Sequence, residues 1–292
     1  MQIRIASAER LFDWTNYTLL SLLGIVTLYP ILNVLAISMS SYAAYVNSPL
    51  MVLPSELNWD AYKQIFANKL LLTSYRNTLL VCLGGTLLNV TVTVLTAYPL
   101  AKAKVRGDRA IMFFIVFTML FSGGMIPTFL VVKGLHLYNS LWAVVLPTLI
   151  STYNFIIVRT FFETIPDSLE ESAKIDGAGH MYVLFKIVVP LSLPLMATIC
   201  LFYGVANWNR FFEAMLYLND RDKWTLTILL REIITENTDL FSSTDPAADS
   251  GRIYPKTLQC ATIIVTILPI LFSYPFLQKY FIKGIMLGAV KQ

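Results

Sequence analysis

Long apolar segments without a charged side chain alternate with short polar segments along the 292-residue chain. The segments that contain no Asp, Glu, Lys or Arg are residues 14–55, 77–101, 110–132, 134–158, 187–209 and 257–278. Each is at least as long as the roughly 20 residues that a helix needs to cross the hydrocarbon core of a membrane. We therefore predict an all-α integral membrane protein with six transmembrane helices. The predicted spans are residues 12–38, 74–101, 110–132, 140–162, 184–208 and 257–281.

Composition supports a membrane protein and argues against a soluble domain. The chain is 56% hydrophobic and 14% charged, whereas about 25% of the residues of a soluble domain are charged. The first apolar segment is longer than the apolar region of a signal peptide, and it lacks a small-x-small cleavage site. We expect the mature protein to retain it.

Prolines within or beside the spans should kink or break the helices, namely Pro30, Pro99, Pro127, Pro147, Pro190 and Pro269.

The positive charges of the short loops predict the orientation. Loop 102–109 carries two lysines and two arginines against one aspartate, and such loops stay in the cytoplasm. Six spans then place both termini in the cytoplasm, where Arg4, Arg10, Lys279, Lys283 and Lys291 agree with this orientation. Segments 41–73 and 209–256 would lie outside, and segment 166–182 would lie in the cytoplasm.

Several kinds of chemistry find no support in the sequence. The cysteines, Cys82, Cys200 and Cys260, lie in predicted spans and suggest neither disulfides nor a metal site, and His136 and His180 would lie on opposite sides of the membrane. The net charge of +4 is ordinary for a membrane protein with positive inner loops and requires no nucleic-acid partner. We predict no catalytic, cofactor-binding or metal-binding residues.

Segment 166–182 contains a short polar helix between two apolar spans. Pro166-Asp167-Ser168 should begin it, with Asp or Ser as the N-cap, and two glutamates, Glu170 and Glu171, follow in the first turn, where the helix dipole favours negative charge. Gly177 should end the helix in a left-handed conformation. On these signals alone, a solvated surface turn that links two spans is the favoured interpretation.

The residues of this segment resemble a known signature. Glu171-Ser172-Ala173, Gly177 and the later Ile187-Val-Val-Pro190 are similar to the E-A-A, glycine and I-x-L-P pattern of binding-protein-dependent ABC importer permeases, with Ser172 and Val189 as departures. Residues 208–220 (WNRFFEAMLYLND) and 268–291 (LPILFSYPFLQKYFIKGIMLGAVK) resemble carbohydrate-uptake permeases, closest to the oligosaccharide and polysaccharide-fragment branch of aldouronate or alginate type, and less closely the second maltose permease.

This resemblance implies a type I ABC importer permease fold with a cytoplasmic coupling helix, in the bacterial cytoplasmic (inner) membrane. The implied partners are a second homologous permease forming a heterodimer, two ATPase subunits that hold ATP and Mg²⁺, an extracytoplasmic sugar-binding protein, membrane lipid and a carbohydrate substrate. The chain would form half of the pore. The coupling residues would be Glu170, Glu171, Ser172, Ala173, Asp176, Gly177 and Ala178. The tail 283–292, with Gly284 and Gly288, could contact the ATPase or be a frayed terminus.

Two alternatives from other classes are weighed against this function. A secondary transporter would carry buried charged residues within its spans for proton or ion relay, and the uncharged runs that form the body of these spans contain none. A membrane-embedded enzyme would carry acidic or histidine clusters at the membrane face, where the chain has only Glu170-Glu171. The chain also lacks the G-x-x-x-x-G-K-[ST] phosphate loop, so another polypeptide must hydrolyse ATP.

Aromatic and amide residues inside apolar spans predict the sugar path, because aromatic faces and amides bind sugars. The candidates are Tyr153, Asn154, Asn207, Trp208 and Asn209. A span asparagine can equally bond a neighbouring helix, and a tryptophan at a span end can lie at the lipid interface. Segment 209–256, with a possible helix over Leu226 to Ile234, is too long for a simple turn. The resemblance assigns it to the binding protein, and an inert outer cap is the alternative.

Overall fold

The computed structural model describes residues 7–102, 105–235 and 256–272. All regular secondary structure within these ranges is helical. The elements are α1 (Ser7–Ser38), α2 (Tyr42–Asn47), α3 (Asp60–Ala67), α4 (Lys69–Lys102), α5 (Asp108–Leu120), α6 (Met125–Gly134), α7 (Leu141–Thr148), α8 (Thr152–Thr164), α9 (Asp167–Ile175), α10 (His180–Leu191), α11 (Leu193–Trp208), α12 (Phe212–Tyr217), α13 (Leu226–Thr235) and α14 (Lys256–Phe272).

Among the described residues, two helices are long and apolar enough to cross a membrane alone, and three bent pairs could each form one further span. Phe12–Ser38 of α1 and the whole of α4 are the continuous ones, and they match the first two predicted spans. The bent pairs are α5 with α6, α7 with α8, and α10 with α11. Helix α14 begins the sixth predicted span, whose remaining residues, 273–281, lie outside the described residues.

The third, fourth and fifth predicted spans are each a bent pair of helices in the structure. Helices α5 and α6 meet at 114°, α7 and α8 at 52°, and α10 and α11 at 87°. The first break contains Gly123 and Gly124, and Gly124 has a φ of +88°, which a helix cannot continue through. Pro147 and Pro190 lie beside the other two breaks, as the sequence predicted, whereas Pro30 and Pro99 lie inside continuous helices.

The described residues divide into two compact units. The first falls within Met1–Lys69 and Leu230–Leu268. Its core joins the end of α1 to the following loop and α14 through Ala36, Ile37, Met51 and Cys260. The Asn33 side chain donates to the Met51 carbonyl oxygen at 2.9 Å. The earlier turns of α1 leave their large apolar side chains exposed, as lipid-facing residues are in a membrane span.

The second unit falls within Leu70–Leu229 and Pro269–Gln292. Helices α4, α8 and α11 pack together around a core that includes Val94, Phe155, Phe162, Ile199 and Tyr203. Burying the large side chains of this core stabilises each by about 1.5–3 kcal/mol in a soluble protein. In lipid the gain is close packing instead, because lipid tails are as apolar as the core. This unit contains all the sites described below.

Candidate functional site

The short helix α9 and its turn occupy the segment that the sequence singled out. The predicted N-cap was wrong, because Pro166 occupies the cap position without a side-chain hydrogen bond, and Asp167 is already helical and accepts a bond from Lys102. The predicted end is confirmed. Gly177 has a φ of +84°, and the Ala178 N–H donates to the Ala173 carbonyl at 2.9 Å, a bond pattern that closes a helix at a left-handed glycine.

The two adjacent glutamates of α9 differ in exposure. Glu170 is 4% exposed, and its Oε2 accepts a 3.3 Å hydrogen bond from the Tyr98 hydroxyl of α4. Lys174 Nζ, one turn further along the helix, lies 3.8 Å from the same oxygen. Glu171, in contrast, is exposed. Burying a carboxylate costs free energy unless hydrogen bonds or an opposite charge compensate it. Because Tyr98 and Lys174 provide these contacts, Glu170 is part of the fold, whereas Glu171 is accessible.

The other predicted coupling residues divide in the same way. Ala173 and Ala178 pack against the core of the second unit, so the small size of Ala173 permits close approach to the chain's own core. Ser172 and Asp176 are exposed. Ile175 is also exposed, at 86% of its surface. The outer side of α9 therefore presents a carboxylate, small polar groups and one large apolar side chain together.

Lys102 fastens the beginning of α9 to the end of α4. Its ammonium group lies 2.7 Å from Asp167 Oδ1 and also donates to the Ile165 carbonyl oxygen. The Lys102 side chain is almost fully buried, whereas that of Asp167 is largely exposed. Together with the Tyr98–Glu170 bond, this contact gives α9 two polar attachments to one long helix.

The bend between α7 and α8 is held by side chains from two other helices. The Asn89 amide donates to the Leu149 carbonyl at 2.7 Å, and the Tyr203 hydroxyl accepts from the Ser151 N–H at 3.0 Å. Tyr203 also bonds the Thr93 hydroxyl at 2.8 Å. These bonds satisfy backbone groups that the broken helix leaves open, which is a requirement for a break at membrane depth.

A cavity of about 550 Å³ lies beside this bend. Its lining consists of Pro147, Thr148, Ile150, Ser151, Tyr153, Asn154, Phe202, Tyr203, Ala206 and Arg210. Tyr153 is 58% exposed, and Asn154 is 6% exposed. Within the described part of the chain, the Asn154 side-chain amide makes no hydrogen bond, so its donors and acceptor are available to a ligand. The structure thus brings two of the five predicted sugar-path residues to one cavity.

The other three predicted sugar-path residues do not line this cavity. Asn207 is 2% exposed, and its amide donates to Asn89 Oδ1 at 3.0 Å. Trp208 is buried and meets Tyr75 edge to face at 6.2 Å. Asn209 is exposed, and its amide bonds the Val205 carbonyl of the preceding turn. For Asn207, the alternative of an interhelical hydrogen bond is the one that the structure shows.

Arg210 is a cavity residue that the sequence analysis did not select. The signal was present, because Arg210 is the first charge after the uncharged run 187–209 and directly follows the Asn207-Trp208-Asn209 cluster. Its Nη1 donates to the Val144 carbonyl at 3.0 Å. Arg210 lies just past the end of α11. Burial lowers the pKa of its guanidinium, and the nearby Glu213 carboxylate offsets only part of this effect. The guanidinium remains charged at neutral pH.

The segment that follows α11 is tied to the loop before α7 by Asn139. Its Oδ1 accepts from the N–H groups of Asn219 and Asp220, both at 3.1 Å, and its amide donates to Asp220 Oδ2 at 2.6 Å. The bond from Asn139, followed by that from Lys223, lowers the pKa of Asp220. Helix α13 confirms the helix predicted near Leu226. Residues 236–255 lie outside the described residues.

The chemistry available at these sites is binding and movement. Among the described residues, no group of three or more His, Cys, Asp or Glu side chains is placed to hold a metal ion. Apolar helices bent around a cavity lined by aromatic, amide and hydroxyl side chains and one arginine, with a short exposed helix between two of them, are typical of a membrane transport permease.

Comparison with known proteins establishes the family. Residues 89–286 match the model of the binding-protein-dependent transport system inner membrane component, and the chain belongs to this family. It is a transport permease of the inner membrane and not an enzyme, so the two alternative functions considered from the sequence are set aside. Its fold is that of a type I ABC importer permease.

Individual relatives cover nearly the whole chain. The polygalacturonan/rhamnogalacturonan transport system permease protein YtcP of Bacillus subtilis is 43% identical over 97% of this chain and 99% of its own length. Protein LplC of the same organism is 41% identical over 97% and 96%. In the crystal structure of a bacterial ABC transporter that imports the acidic polysaccharide alginate, one chain superposes with a TM-score of 0.88 and 33% identity, covering 96% of this chain and all of that one.

Proposed function

We propose that this chain forms half of the translocation pore of an ATP-driven importer of oligosaccharides or polysaccharide fragments. A second homologous permease would form the other half. Two ATPase subunits, which hold ATP and Mg²⁺, would bind on the cytoplasmic side, and a sugar-binding protein would deliver the substrate from outside. Both termini would be cytoplasmic. The cavity at the α7–α8 bend, with exposed Tyr153 beside the unbonded amide of Asn154, is the observation that carries the proposal.

The chemistry of this cavity suits a carbohydrate. A sugar ring presents C–H groups that pack on an aromatic face, and hydroxyl groups that bond to amides and hydroxyls. Tyr153 offers the face, and Asn154 offers both a donor and an acceptor. A site with few such groups binds weakly, as a transport site must if the substrate is to leave it. Asn207 would support the bend through Asn89 rather than contact the sugar.

The outer face of α9 is the proposed contact with the ATPase. Glu171, Ser172 and Ile175 are exposed on a helix of nine residues, which is too short to be stable without packing. Ile175 would insert into an apolar groove, and Glu171 would make a charge-assisted bond at its wall. The inner face, with Glu170 and Ala173, holds the helix to its own subunit.

Movement of α9 would reach the pore by two routes. Helices α8 and α10 adjoin it in the chain, so they should move with it as rigid bodies. The bonds of Tyr98 to Glu170 and of Lys102 to Asp167 add α4 to the moving group. Since Asn89, also on α4, bonds the backbone of the α7–α8 bend, α4 connects the ATPase contact to the cavity.

Uptake into vesicles that contain the four-subunit complex and the binding protein would test the function. We expect labelled oligosaccharide to accumulate with ATP and not without it. Glu171→Lys should abolish uptake while the subunit remains in the membrane, and Glu171→Gln should retain part of it, because a neutral amide still accepts a hydrogen bond. Normal transport by Glu171→Lys would contradict the coupling role. Accumulation that does not depend on ATP would contradict the proposed function.

A further inference from the structure

Arg210 is the one charged residue among those that line the α7–α8 cavity. The other lining residues are aromatic, aliphatic, amide or hydroxyl side chains. A neutral sugar could bind to those groups without any contribution from a cation. Placing a charge at a half-buried position costs free energy unless an opposite charge compensates it. The presence of an arginine here therefore requires a reason beyond sugar binding in general.

Contacts within the protein use only part of the hydrogen-bonding capacity of the Arg210 guanidinium. A guanidinium has five N–H donors, and within the described part of the chain one hydrogen bond is made, from Nη1 to the Val144 carbonyl. Glu213 is close enough to raise the pKa of Arg210. Among the described residues, however, it does not approach within the 4.0 Å of a salt bridge. Most of the donors in the fork thus make no hydrogen bond within the described residues, on a side chain that lines the cavity.

The Val144 carbonyl by itself does not explain the choice of arginine. It lies near the end of α7, where a tight turn contains Pro147, which has no N–H to donate. A neutral side chain with an N–H group, such as glutamine, could bond the same oxygen. The extra properties of arginine are its fixed charge and its planar fork, and these match a carboxylate.

We infer that Arg210 recognises a carboxylate on the transported sugar, so that this cavity selects uronate residues over neutral ones. The inference rests on the proposed function and narrows it. The names of the relatives do not decide the point, since they include permeases for polygalacturonan and also for neutral maltodextrin. In the bound state Arg210 would hold the carboxylate, Tyr153 would pack on the ring, and Asn154 would bond a hydroxyl.

The test compares each acidic oligosaccharide with its own carboxyl-reduced form, which has the same length and linkages without the charge. Tetramers of galacturonate and of mannuronate, their reduced forms and maltotetraose would be supplied to the reconstituted complex with its binding protein. The variants are Arg210→Gln, which can still bond the Val144 carbonyl, and Arg210→Lys, which keeps the charge. Arg76→Gln is the matched control, because Arg76 is an exposed arginine outside the cavity.

We expect Arg210→Gln to lower uptake of the acidic tetramers by about tenfold or more, the effect of losing a hydrogen bond to a charged group. Uptake of the reduced forms should change by no more than about twofold, as for a neutral surface change. Arg210→Lys should give an intermediate value, and Arg76→Gln should match the wild type.

Three results would overturn the role of Arg210. The first is an equal loss of uptake for acidic and carboxyl-reduced tetramers in Arg210→Gln. The second is unchanged uptake of the acidic tetramers in that variant. The third is a wild-type complex that takes up only the neutral sugars. The proposed function fails in a different way, since it requires that the wild-type complex take up at least one of these sugars with ATP.

Discussion

Asn207 donates a 3.0 Å hydrogen bond to Asn89, and Asn89 donates in turn to the Leu149 carbonyl at the bend between α7 and α8. This chain of bonds joins three helices of the second unit. The Asn207 amide, which the sequence predicted to contact the sugar, thus supports the bend and does not line the cavity. The arrangement depends on close approach of the helices at Gly85, where a β-carbon would lie 3.0 Å from Asn207 Nδ2.

Gly85→Ala should destabilise the permease by about 1–3 kcal/mol, the usual cost of overpacking a core. The added methyl group would press on Asn207 and on Val145, which is 3.2 Å away. Thermal unfolding of the purified subunit would measure the loss. Gly84→Ala is the matched control, because no atom lies within 4 Å of a β-carbon there. Equal unfolding temperatures for the two variants would contradict the close contact.

Gly177→Ala should impair coupling more than assembly. Its φ of +84° is strained for any residue with a β-carbon, at a cost of about 1–3 kcal/mol that the short helix α9 can relieve by changing its turn. ATP-driven uptake should fall while the amount of purified complex is nearly unchanged. Gly179→Ala should behave as wild type, because Gly179 has an ordinary φ of −74° and open space around it.

Tyr98→Phe should weaken the link between ATP hydrolysis and transport. The substitution removes the hydroxyl that bonds buried Glu170, whose other oxygen, Oε1, has no partner in the described residues. We expect fewer sugar molecules imported per ATP hydrolysed. Tyr182→Phe is the control, since Tyr182 is exposed. An unchanged ratio in Tyr98→Phe would remove α4 from the coupling route.

Reporter fusions would test the predicted orientation. Fusions near Lys104 and His180 should report a cytoplasmic location, and fusions near Thr244 an external one, because we expect the short cationic loop 102–109 to stay inside. Thr244 and Lys104 lie outside the described residues. A cytoplasmic result at Thr244 would contradict the count of six spans.

Deletion of residues 242–250 should lower the ATPase activity that the binding protein stimulates and leave the basal rate unchanged. These residues belong to segment 209–256, which is the proposed contact with the binding protein. They lie outside the described residues. The tail 283–292 also lies outside them. Basal ATPase activity is the internal control for assembly. Full stimulation after the deletion would favour an inert outer cap.

The sequence by itself determined the class of protein and the position of its main elements. Runs of 22 or more uncharged residues can be buried only in lipid or in a very large core, so composition sufficed to predict the spans. The segment from Pro166 to Gly179 predicted its own helix and its left-handed end, because these depend on local backbone preferences. The helix break at Gly123-Gly124 was missed, since hydropathy records apolarity and not backbone direction.

Only the tertiary structure decided what each polar side chain does. Glu170 and Glu171 are identical in type and adjacent in sequence, yet one bonds Tyr98 and the other is exposed, because α9 lies with one face on α4. Asn207 and Arg210 are three residues apart, but the first turns toward Asn89 and the second toward the cavity of Tyr153. Such partners are distant in the chain, so their pairing follows from how the helices pack and not from any local pattern.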